Sequence, residues 1–313
     1  MAVVGLDQAA HFLGQRYGDD LEPGSVAELG GGDWSRAYGF RVDGTDLVAR
    51  FGRYGEDYER DRAAMAFAGP DLPVPAVLEI GAALGGAYAI SERRFGSFPE
   101  QLAEADARRV LPALLRGLDA MRAVPVAPDA PAGWGPANEQ HPPTWRDFLV
   151  GSLVDVPGAR VSGWRATLAA DPALDALYLA AEADFRAVLH HCPELRHVLH
   201  LDLLNRNVLV DAAAGSLVGV FDWGCSTLGD PVYELAWFTF WAPWHPGLAA
   251  LDLRSTFEDH LVAAEFDCTD LAERLRGYEL HIALTHLAYC AFAPGREQDL
   301  VDVAARTRQL MAG

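Results

Sequence analysis

His200-Leu201-Asp202-Leu203-Leu204-Asn205-Arg206-Asn207-Val208-Leu209-Val210, followed by Gly219-Val220-Phe221-Asp222-Trp223, is the stretch of sequence that decides the fold. Residues 208–211 are mostly apolar, 212–215 form a small-residue turn and 217–221 are apolar again, which predicts a β-hairpin. Asn207 precedes the first strand and Asp222 follows the second, so antiparallel pairing returns both side chains to one open end. Asp202 lies five residues before Asn207, in a loop that can face that end.

These three side chains predict a site for phosphoryl transfer. One carboxylate and one amide oxygen make an open oxygen site that suits Mg²⁺, which takes further ligands from water and nucleotide phosphates. A second carboxylate beside it can accept the proton of an attacking hydroxyl group. The spacing His-x-Asp-x-x-x-x-Asn, with a hairpin and a terminal Asp, matches the kinase catalytic template. The joint spacing disfavours the alternative, a loop and two turn residues that cap backbone amides.

Length and composition predict an ordered, globular chain. At 313 residues, half of them hydrophobic, it is long enough for two modest lobes, each with a core. No window approaches the roughly 18 to 20 uninterrupted apolar residues of a membrane span. The N-terminus lacks a basic region and a long apolar core, so we expect no signal peptide and a cytoplasmic location. Cysteines at 192, 225, 268 and 290 are far apart, which favours reduced thiols over a disulfide framework or a zinc site.

The charge balance restricts the class of partner. With 44 acidic and 25 basic residues the net charge is −19, which disfavours nucleic acid and favours a cationic small molecule. We expect no membrane partner and take a monomer as the working expectation, with the oligomeric state left open. The sequence contains no lysine, which excludes a Walker A loop and Schiff-base chemistry. Any clamp on nucleotide phosphates must therefore use arginine.

The order of secondary structure predicts an α+β chain with an N-terminal lobe over 1–91, a hinge over 92–96 and a helical C-terminal lobe over 97–313. Residues 26–38 read as strand, glycine-rich turn and strand, and Asp43-Gly44 predicts a hairpin. We expect a helix over 58–68 and strands over 77–80 and 87–91. Further predicted segments are a helix over 7–17, helices over 102–122, 173–191, 256–264 and 272–292, a loop over 125–143, a capping box at Thr144 and a helix beginning at Asp230-Pro231.

The chain resembles the aminoglycoside phosphotransferase family. The resemblance covers most of the chain and is densest between residues 192 and 244. The motifs that carry it are Ala76–Gly81, Thr144–Phe148, Cys192–His197, His200–Asp211, Val220–Trp223, Gly229–Glu234 and Trp241–Trp244. It implies the protein-kinase-like fold, in which a small antiparallel-sheet lobe and a larger helical lobe hold a nucleotide between them.

The resemblance also implies a role for individual residues. Asp202 would be the catalytic base, and Asn207 and Asp222 would hold Mg²⁺. Arg50 would contact the nucleotide phosphates, with Asp61 as its ion-pair partner and Glu59 as the alternative. Backbone groups at Ser91, Glu92 and Arg93 would meet the purine, while the turn that contains Gly31, Gly32 and Ser35 would cover the phosphates.

Other polar and aromatic residues near the motif have more than one interpretation. We expect His200 to orient the loop that contains Asp202, called here the catalytic loop. We expect Asp230 to be a helix N-cap that braces this loop. Asn205 and Glu234 are candidate acceptor-binding residues. Trp237 is expected in the core, whereas Trp241 is either core or acceptor platform. The leucines at 203 and 204 depart from the family pattern and are expected on the acceptor side of the loop.

The resulting prediction is a kinase that transfers the γ-phosphate of Mg-ATP or Mg-GTP to a hydroxyl group of a small molecule. By resemblance, the acceptor would be an aminocyclitol antibiotic such as hygromycin B. An amino alcohol, a sugar or a macrolide is the alternative acceptor. A nucleotide-binding pseudokinase is the alternative from another class, and the intact Asp202, Asn207 and Asp222 argue against it.

Overall fold

Alternating apolar residues in the first part of the chain form a five-stranded antiparallel sheet, in which the fifth strand along the chain lies between the third and the fourth. The computed structural model describes residues 4–126 and 142–312, so most of the loop expected over 125–143 lies outside the described residues. The elements of this N lobe are α1 (Leu6–Tyr17), β1 (Ala27–Gly31), β2 (Ser35–Val42), β3 (Thr45–Gly52), α2 (Gly55–Ala64), β4 (Val77–Ala83) and β5 (Gly86–Glu92).

The two faces of this sheet have different side chains. One face buries Tyr38, Phe40 and Phe51 beneath Leu13 of α1, forming the N-lobe core. The register places Ala37 opposite Arg50 and Gly39 opposite Val48, so small residues and one arginine share the other face. Arg50 reaches Asp222 of the C lobe, which identifies this second face as the one toward the cleft.

The sequence signals for turns and helix starts in this lobe and the next are largely confirmed. Asp43 and Gly44 both have positive φ, at 48° and 76°, as a tight hairpin turn requires. The helix expected over 58–68 instead runs as α2 from Gly55 to Ala64, with a short 3₁₀ turn after it. Thr144 caps its helix, since its hydroxyl accepts from the Asp147 N–H over 3.1 Å.

The second part of the chain is mostly helical and contains the larger core. A 22-residue helix, α10, is buried along most of its length, as expected for a helix with apolar residues on all sides. The elements of this C lobe are α3 (Glu104–Arg122), α4 (Trp145–Gly151), α5 (Trp164–Ala169), α6 (Pro172–Val188), β6 (His197–Leu199), β7 (Val208–Asp211), β8 (Ser216–Val220), β9 (Thr227–Gly229), α7 (Val232–Trp241), α8 (Pro246–Ala249), α9 (Leu253–Ala263), α10 (Leu271–Phe292) and α11 (Glu297–Ala312).

This arrangement confirms the expected α+β architecture of a small sheet lobe followed by a larger helical lobe. Two short ladders, β6–β9 and β7–β8, lie between α6 and α7 and carry the motif around residue 202. Within residues 4–126 and 142–312, no helix has the length and apolar character needed to cross a membrane.

Candidate active site

The β7–β8 hairpin brings Asn207 and Asp222 to the same end, as the sequence predicted. The Phe221 N–H donates to the Asn207 carbonyl over 3.0 Å and closes the ladder there. Asn207 is buried, whereas the side chain of Asp222 is 42% exposed and its backbone is left-handed, with φ of 63°. A buried amide and an accessible carboxylate therefore leave the hairpin side by side.

Asp202 lies against Asn207. The Asn207 amide nitrogen donates to the Asp202 carbonyl over 2.8 Å and to its carboxylate over 3.0 Å. Burial and the nearby Asp222 carboxylate hold the pKa of Asp202 well above its ordinary value, and hydrogen bonds from Asn205 and Asn207 partly oppose that shift. The three residues of the motif therefore form one polar cluster.

The donor set of this cluster fits a magnesium ion. The amide nitrogen of Asn207 is engaged by Asp202, which leaves its amide oxygen for another partner at the hairpin end that also carries Asp222. In the described part of the chain, no group of three His, Cys, Asp or Glu residues is placed to hold a metal. A metal at this site would thus have two oxygen ligands from the protein. Its other ligands would come from outside the protein, as they do for Mg²⁺ bound with a nucleotide.

Glu234 holds the backbone of the catalytic loop, which corrects its expected role in acceptor binding. Its side chain is 2% exposed, and Oε1 accepts from the N–H groups of His200 and Leu201 over 2.6 and 2.9 Å. Leu201 has a positive φ of 65°, a strained conformation for a leucine. The two hydrogen bonds stabilise that conformation and leave the carboxylate inaccessible to an acceptor.

His200 is placed to support the loop around Asp202. It is fully buried, and its Nε2–H donates to the Phe221 carbonyl over 3.0 Å. Burial lowers its pKa to about 4, so the ring is neutral at pH 7. The histidine therefore joins the start of the catalytic loop to the strand end that precedes Asp222.

Arg50 forms an ion pair with Asp61, whereas Glu59, the alternative partner, pairs with Arg62. Both side chains of the Arg50–Asp61 pair are largely buried. The other oxygen of Asp61 accepts from the Trp223 N–H over 2.7 Å. Arg50 Nη1 also lies 3.5 Å from an Asp222 oxygen. One carboxylate of α2 thus positions both the arginine and the loop that contains Asp222.

The glycine-rich turn lies between β1 and β2, at the Arg50 end of the cleft face. Gly31 packs so closely that a Cβ atom there would lie 2.5 Å from the Ser35 carbonyl oxygen. Gly32 has open space around it. Ser35 begins β2 and pairs with Gly52, two residues beyond Arg50. The turn therefore lies where it can cover a phosphate held by Arg50.

The backbone N–H groups at the end of β5, those of Glu92 and Arg93, are hydrogen-bonded within the N lobe. The Glu92 N–H donates to the Ala76 carbonyl over 2.9 Å, and the Arg93 N–H donates to the Asp46 carbonyl over 3.2 Å. Ser91 is a paired residue inside the sheet. Of the backbone groups expected to meet the purine, the N–H groups of Glu92 and Arg93 therefore already have partners within the N lobe. The carbonyl groups of this segment and the Arg93 side chain are the remaining candidates.

Asn205 and Trp241 have different environments. Asn205 is exposed, and its amide donates to the Asp202 carboxylate over 3.3 Å, so it lies at the mouth of the site. Trp241 is half-buried in an aromatic group with Trp244 and His286, with ring centroids 5.2 and 4.7 Å away. Trp237 is buried in the core, as predicted.

Asp230 braces a different element from the one predicted. Its carboxylate accepts from the Val232 N–H over 3.1 Å, as an N-cap would, but the assigned helix begins at Val232, after Pro231. The carboxylate also accepts from Arg274 at 2.7 and 3.0 Å and from the Tyr278 hydroxyl at 2.7 Å. Asp230 therefore joins α7 to α10 and makes none of these bonds to the catalytic loop.

The leucines after Asp202 point into the protein interior. Leu203 and Leu204 are 3% and 5% exposed and belong to the C-lobe core. They anchor the loop beneath Asp202, which corrects the expectation that they line the acceptor side. Hydrophobic burial, about 25 cal/mol per Å² of apolar area, favours that orientation over exposure in an open cleft.

Sequence reasoning missed contacts between distant segments. Arg160 bonds to Asp57 of α2 at 2.9 and 3.1 Å, and Asp33 in the glycine-rich turn bonds to Tyr289 and Arg296. No local pattern marks these pairs. Glu234 did carry a signal, because it is the one charged residue in the mostly apolar ten-residue segment 232–241. Such a carboxylate inside an apolar helix indicates a buried and bonded group.

The chain is similar to known phosphotransferases in sequence and in overall structure. The model of the phosphotransferase enzyme family matches residues 25–275. Hygromycin-B 4-O-kinase of Escherichia coli is 32% identical over 279 residues, which cover 88% of this chain and 76% of the relative. The crystal structure of aminoglycoside phosphotransferase APH(4)-Ia is similar at a TM-score of 0.80 and 28% identity, covering 97% of each chain. A thermostable mutant of APH(4)-Ia in ternary complex with AMP-PNP and hygromycin B gives a TM-score of 0.78 at 28% identity, over 96% of this chain and 97% of the other.

Proposed function

Because the chain belongs to the phosphotransferase enzyme family, we propose that it transfers the γ-phosphate of a nucleoside triphosphate to a hydroxyl group of an aminoglycoside. It has the protein-kinase-like two-lobe fold of the aminoglycoside kinases to which it is similar. The observation that carries the proposal is the cluster of Asp202, Asn207 and Asp222 at one hairpin end, with Arg50 3.5 Å from Asp222.

In this proposal Asp202 orients the acceptor hydroxyl and accepts its proton. Its carboxylate is held by the Asn207 amide at 3.0 Å, so its position is set before substrate binds. The raised pKa of Asp202 makes its carboxylate a better proton acceptor than an ordinary aspartate once it is ionised. Most of the rate enhancement would come from positioning and charge stabilisation, as in other phosphoryl transfers.

The nucleotide phosphates would be held from the N lobe by Arg50 and by the turn at Gly31, Gly32 and Ser35. Asp61 fixes Arg50, so the guanidinium loses little freedom on binding. Asn207 and Asp222 would hold Mg²⁺, which neutralises charge on the phosphates when bound. Purine contacts would come from the segment Ser91–Arg93, through its carbonyl groups or the Arg93 side chain.

For the acceptor we propose hygromycin B or a closely related aminocyclitol, bound near Asn205 and Trp241. The 32% identity to hygromycin-B 4-O-kinase supports this substrate class, and a net charge of −19 favours a polycationic acceptor. The lobes would span 1–91 and 97–313, with a hinge at 92–96. Ser97 supports that boundary, because its backbone exchanges two 2.9 Å hydrogen bonds with Val210 of β7. We propose that the enzyme acts as a monomer in the cytoplasm, where nucleoside triphosphates are supplied.

The test is the Mg²⁺-dependent release of nucleoside diphosphate from ATP and GTP with a panel of acceptors. The panel holds hygromycin B, other aminoglycosides, a macrolide, choline and homoserine, with mass spectrometry of each product. We expect phosphorylated hygromycin B. Turnover of another compound alone would keep the kinase and change the acceptor, whereas nucleotide binding without any turnover would favour the pseudokinase.

Two variants test the assigned roles. Asp202→Ala should lower kcat by about 10²- to 10⁴-fold with little change in nucleotide affinity, because the base acts on the acceptor. Asp222→Ala should instead remove the Mg²⁺ dependence of nucleotide binding. Parent-like turnover by the first variant, or unchanged Mg²⁺ dependence in the second, would contradict the assignment.

A further inference from the structure

The tip of the glycine-rich turn, defined as Asp33 and Trp34, contacts the far end of the C lobe. Asp33 Oδ2 accepts from the Tyr289 hydroxyl over 2.6 Å and from Arg296 Nη2 over 2.8 Å. Tyr289 lies in the last turns of α10, and Arg296 directly precedes α11. Burial opposes ionisation of Asp33, but the hydrogen bonds from Tyr289 and Arg296 outweigh it and lower its pKa.

Trp34 adds an aromatic contact to the same element. Its ring is nearly parallel to that of Phe292, at an interplanar angle of 10° and a centroid distance of 6.2 Å. The Tyr289 ring lies 6.3 Å away. The Arg160 guanidinium also lies 5.6 Å from the Trp34 ring and 3.7 Å from the Tyr54 ring. The tip is therefore held by groups from several C-lobe segments.

A glycine-rich turn needs such contacts if it is to keep one position. Gly30 has a φ of 129°, and a Cβ atom at Gly32 would meet no atom within 4 Å, so the backbone restrains itself weakly. The N–H groups of a turn can stabilise phosphate charge only if they are already oriented when the charge develops. Asp33 and Trp34 follow Gly32 directly, so restraining the tip restrains the turn.

We infer that one contact positions the glycine-rich turn over the nucleotide phosphates: that of Asp33 and Trp34 with Tyr289, Phe292 and Arg296. This contact must open before nucleotide can leave. The inference rests on the proposed function. Asp33 and Tyr289 are positioning residues in this scheme, since they act through the backbone of the turn. The C-terminal end of α10 and the N-terminal end of α11 thereby influence how the N lobe exchanges nucleotide.

The test is a double-mutant cycle on nucleotide release. Stopped-flow displacement of a fluorescent N-methylanthraniloyl ADP gives the dissociation rate with Mg²⁺ for the parent, Asp33→Ala, Tyr289→Phe and the double variant. We expect each single change to raise the rate about five- to tenfold. Tyr289→Phe removes one charge-assisted hydrogen bond at a partly exposed site, and Asp33→Ala removes that bond together with the one from Arg296. The double variant should be little faster than Asp33→Ala, because both changes break the same bond.

Steady-state kinetics separate positioning from general destabilisation. The KM for the nucleotide should rise in both single variants, while the KM for the acceptor and the melting temperature stay near the parent values. Asp299→Asn is the matched control: Asp299 accepts from Nη1 of Arg296 over 2.7 Å, whereas Asp33 accepts from Nη2, so nucleotide release should not change. Unchanged release in Asp33→Ala and Tyr289→Phe, or additive effects in the double variant, would overturn the inference.

The same measurements keep the two proposals apart. If the parent protein binds the fluorescent nucleotide but phosphorylates no acceptor, the proposed function fails, and the dissociation rates still decide the inference. If it phosphorylates an acceptor while the cycle shows no coupling, the kinase assignment stands and the positioning role is rejected.

Discussion

The backbone N–H of His200 donates to Glu234 Oε1 over 2.6 Å, and this contact joins the catalytic loop to helix α7. The same oxygen accepts from Leu201 over 2.9 Å. The buried carboxylate of Glu234 thus holds the loop around Asp202 in place. A buried acceptor shared by two backbone donors is costly to lose, because both N–H groups would remain unsatisfied.

We expect Glu234→Gln and Glu234→Ala to differ strongly. Glutamine keeps an oxygen for the two N–H groups, so the loop should stay in place and kcat should fall less than about fivefold. Alanine leaves two buried donors without a partner and should lower kcat by at least about tenfold, together with stability by roughly 2–4 kcal/mol. Steady-state assays and urea unfolding measure both effects. Equal losses in the two variants would show that the oxygen is not what positions the loop.

Glu234 should also give stability a defined pH dependence. Burial raises its pKa from 4.5 to about 7, so the folded state binds a proton more tightly than the unfolded state. Proton binding by Glu234 therefore adds on the order of 3 kcal/mol to the free energy of unfolding. This contribution is complete below pH 4.5 and is lost as the pH rises towards 7. The parent protein should therefore lose stability relative to Glu234→Gln between pH 5 and pH 8.

The comparison with Glu234→Gln is needed because His200 acts in the opposite direction. Burial lowers the pKa of His200, so its contribution to stability grows as the pH rises. Urea unfolding of parent and variant at four pH values isolates the glutamate. Parallel pH profiles for the two proteins would mean that Glu234 does not change its protonation in this range.

The buried ion pair between Asp230 and Arg274 should matter for stability more than for catalysis. The two side chains are 0% and 2% exposed and joined at 2.7 Å. Asp230→Ala leaves a buried guanidinium without its carboxylate and should cost about 3–5 kcal/mol. The folded fraction of this variant should have a kcat within about threefold of the parent value, because the ion pair does not contact Asp202. Denaturant unfolding measures the loss of stability, and kinetics corrected for the concentration of active sites measure kcat.

The double variant Asp230→Leu with Arg274→Met provides the control. Removing both charges should recover much of the lost stability, because an apolar pair of similar volume carries no desolvation penalty. A double variant as unstable as Asp230→Ala would show that hydrogen bonds to Val232 and Tyr278, not charge compensation, dominate at this position.

The parts of the fold and site that were predictable are those encoded locally. The hairpin around residues 208–220 follows from two apolar runs and a small-residue turn, and its ends necessarily carry Asn207 and Asp222. The Asp43-Gly44 turn and the Thr144 cap likewise depend on neighbouring residues only. The pairing of Arg50 with Asp61 was implied by the family resemblance, with Glu59 as the alternative, and not by the local sequence pattern.

What could not be predicted depends on contacts between distant segments. Asp230 has a local N-cap signature, yet Arg274, 44 residues away, determines its environment. The hydrogen bonds of Asp33 with residues 289 and 296 span most of the chain and leave no sequence pattern. Short elements such as β6, β9, α5 and α8 were missed for a related reason, since a few residues carry too little periodicity to be recognised. Helix α11 is longer but was not anticipated.

Leu203 tests whether the residues after Asp202 act in packing or in acceptor recognition. Its side chain is buried, next to a small interior void that Leu72, Val208 and Phe238 also line. Leu203→Ala should enlarge that void and cost about 2–5 kcal/mol of unfolding free energy. Leu203→Met conserves volume and should cost less than about 1.5 kcal/mol.

Acceptor discrimination decides between the two roles. If Leu203 only anchors the loop, Leu203→Ala should change kcat/KM by a similar factor for hygromycin B and for every other acceptor that is turned over, because a shifted Asp202 affects all of them. A changed order of preference among acceptors, at parent-like stability, would instead place this leucine in contact with substrate. Measuring kcat/KM for at least two acceptors in the parent, Leu203→Ala and Leu203→Met separates these outcomes, since methionine retains the anchor but alters any surface presented to the acceptor.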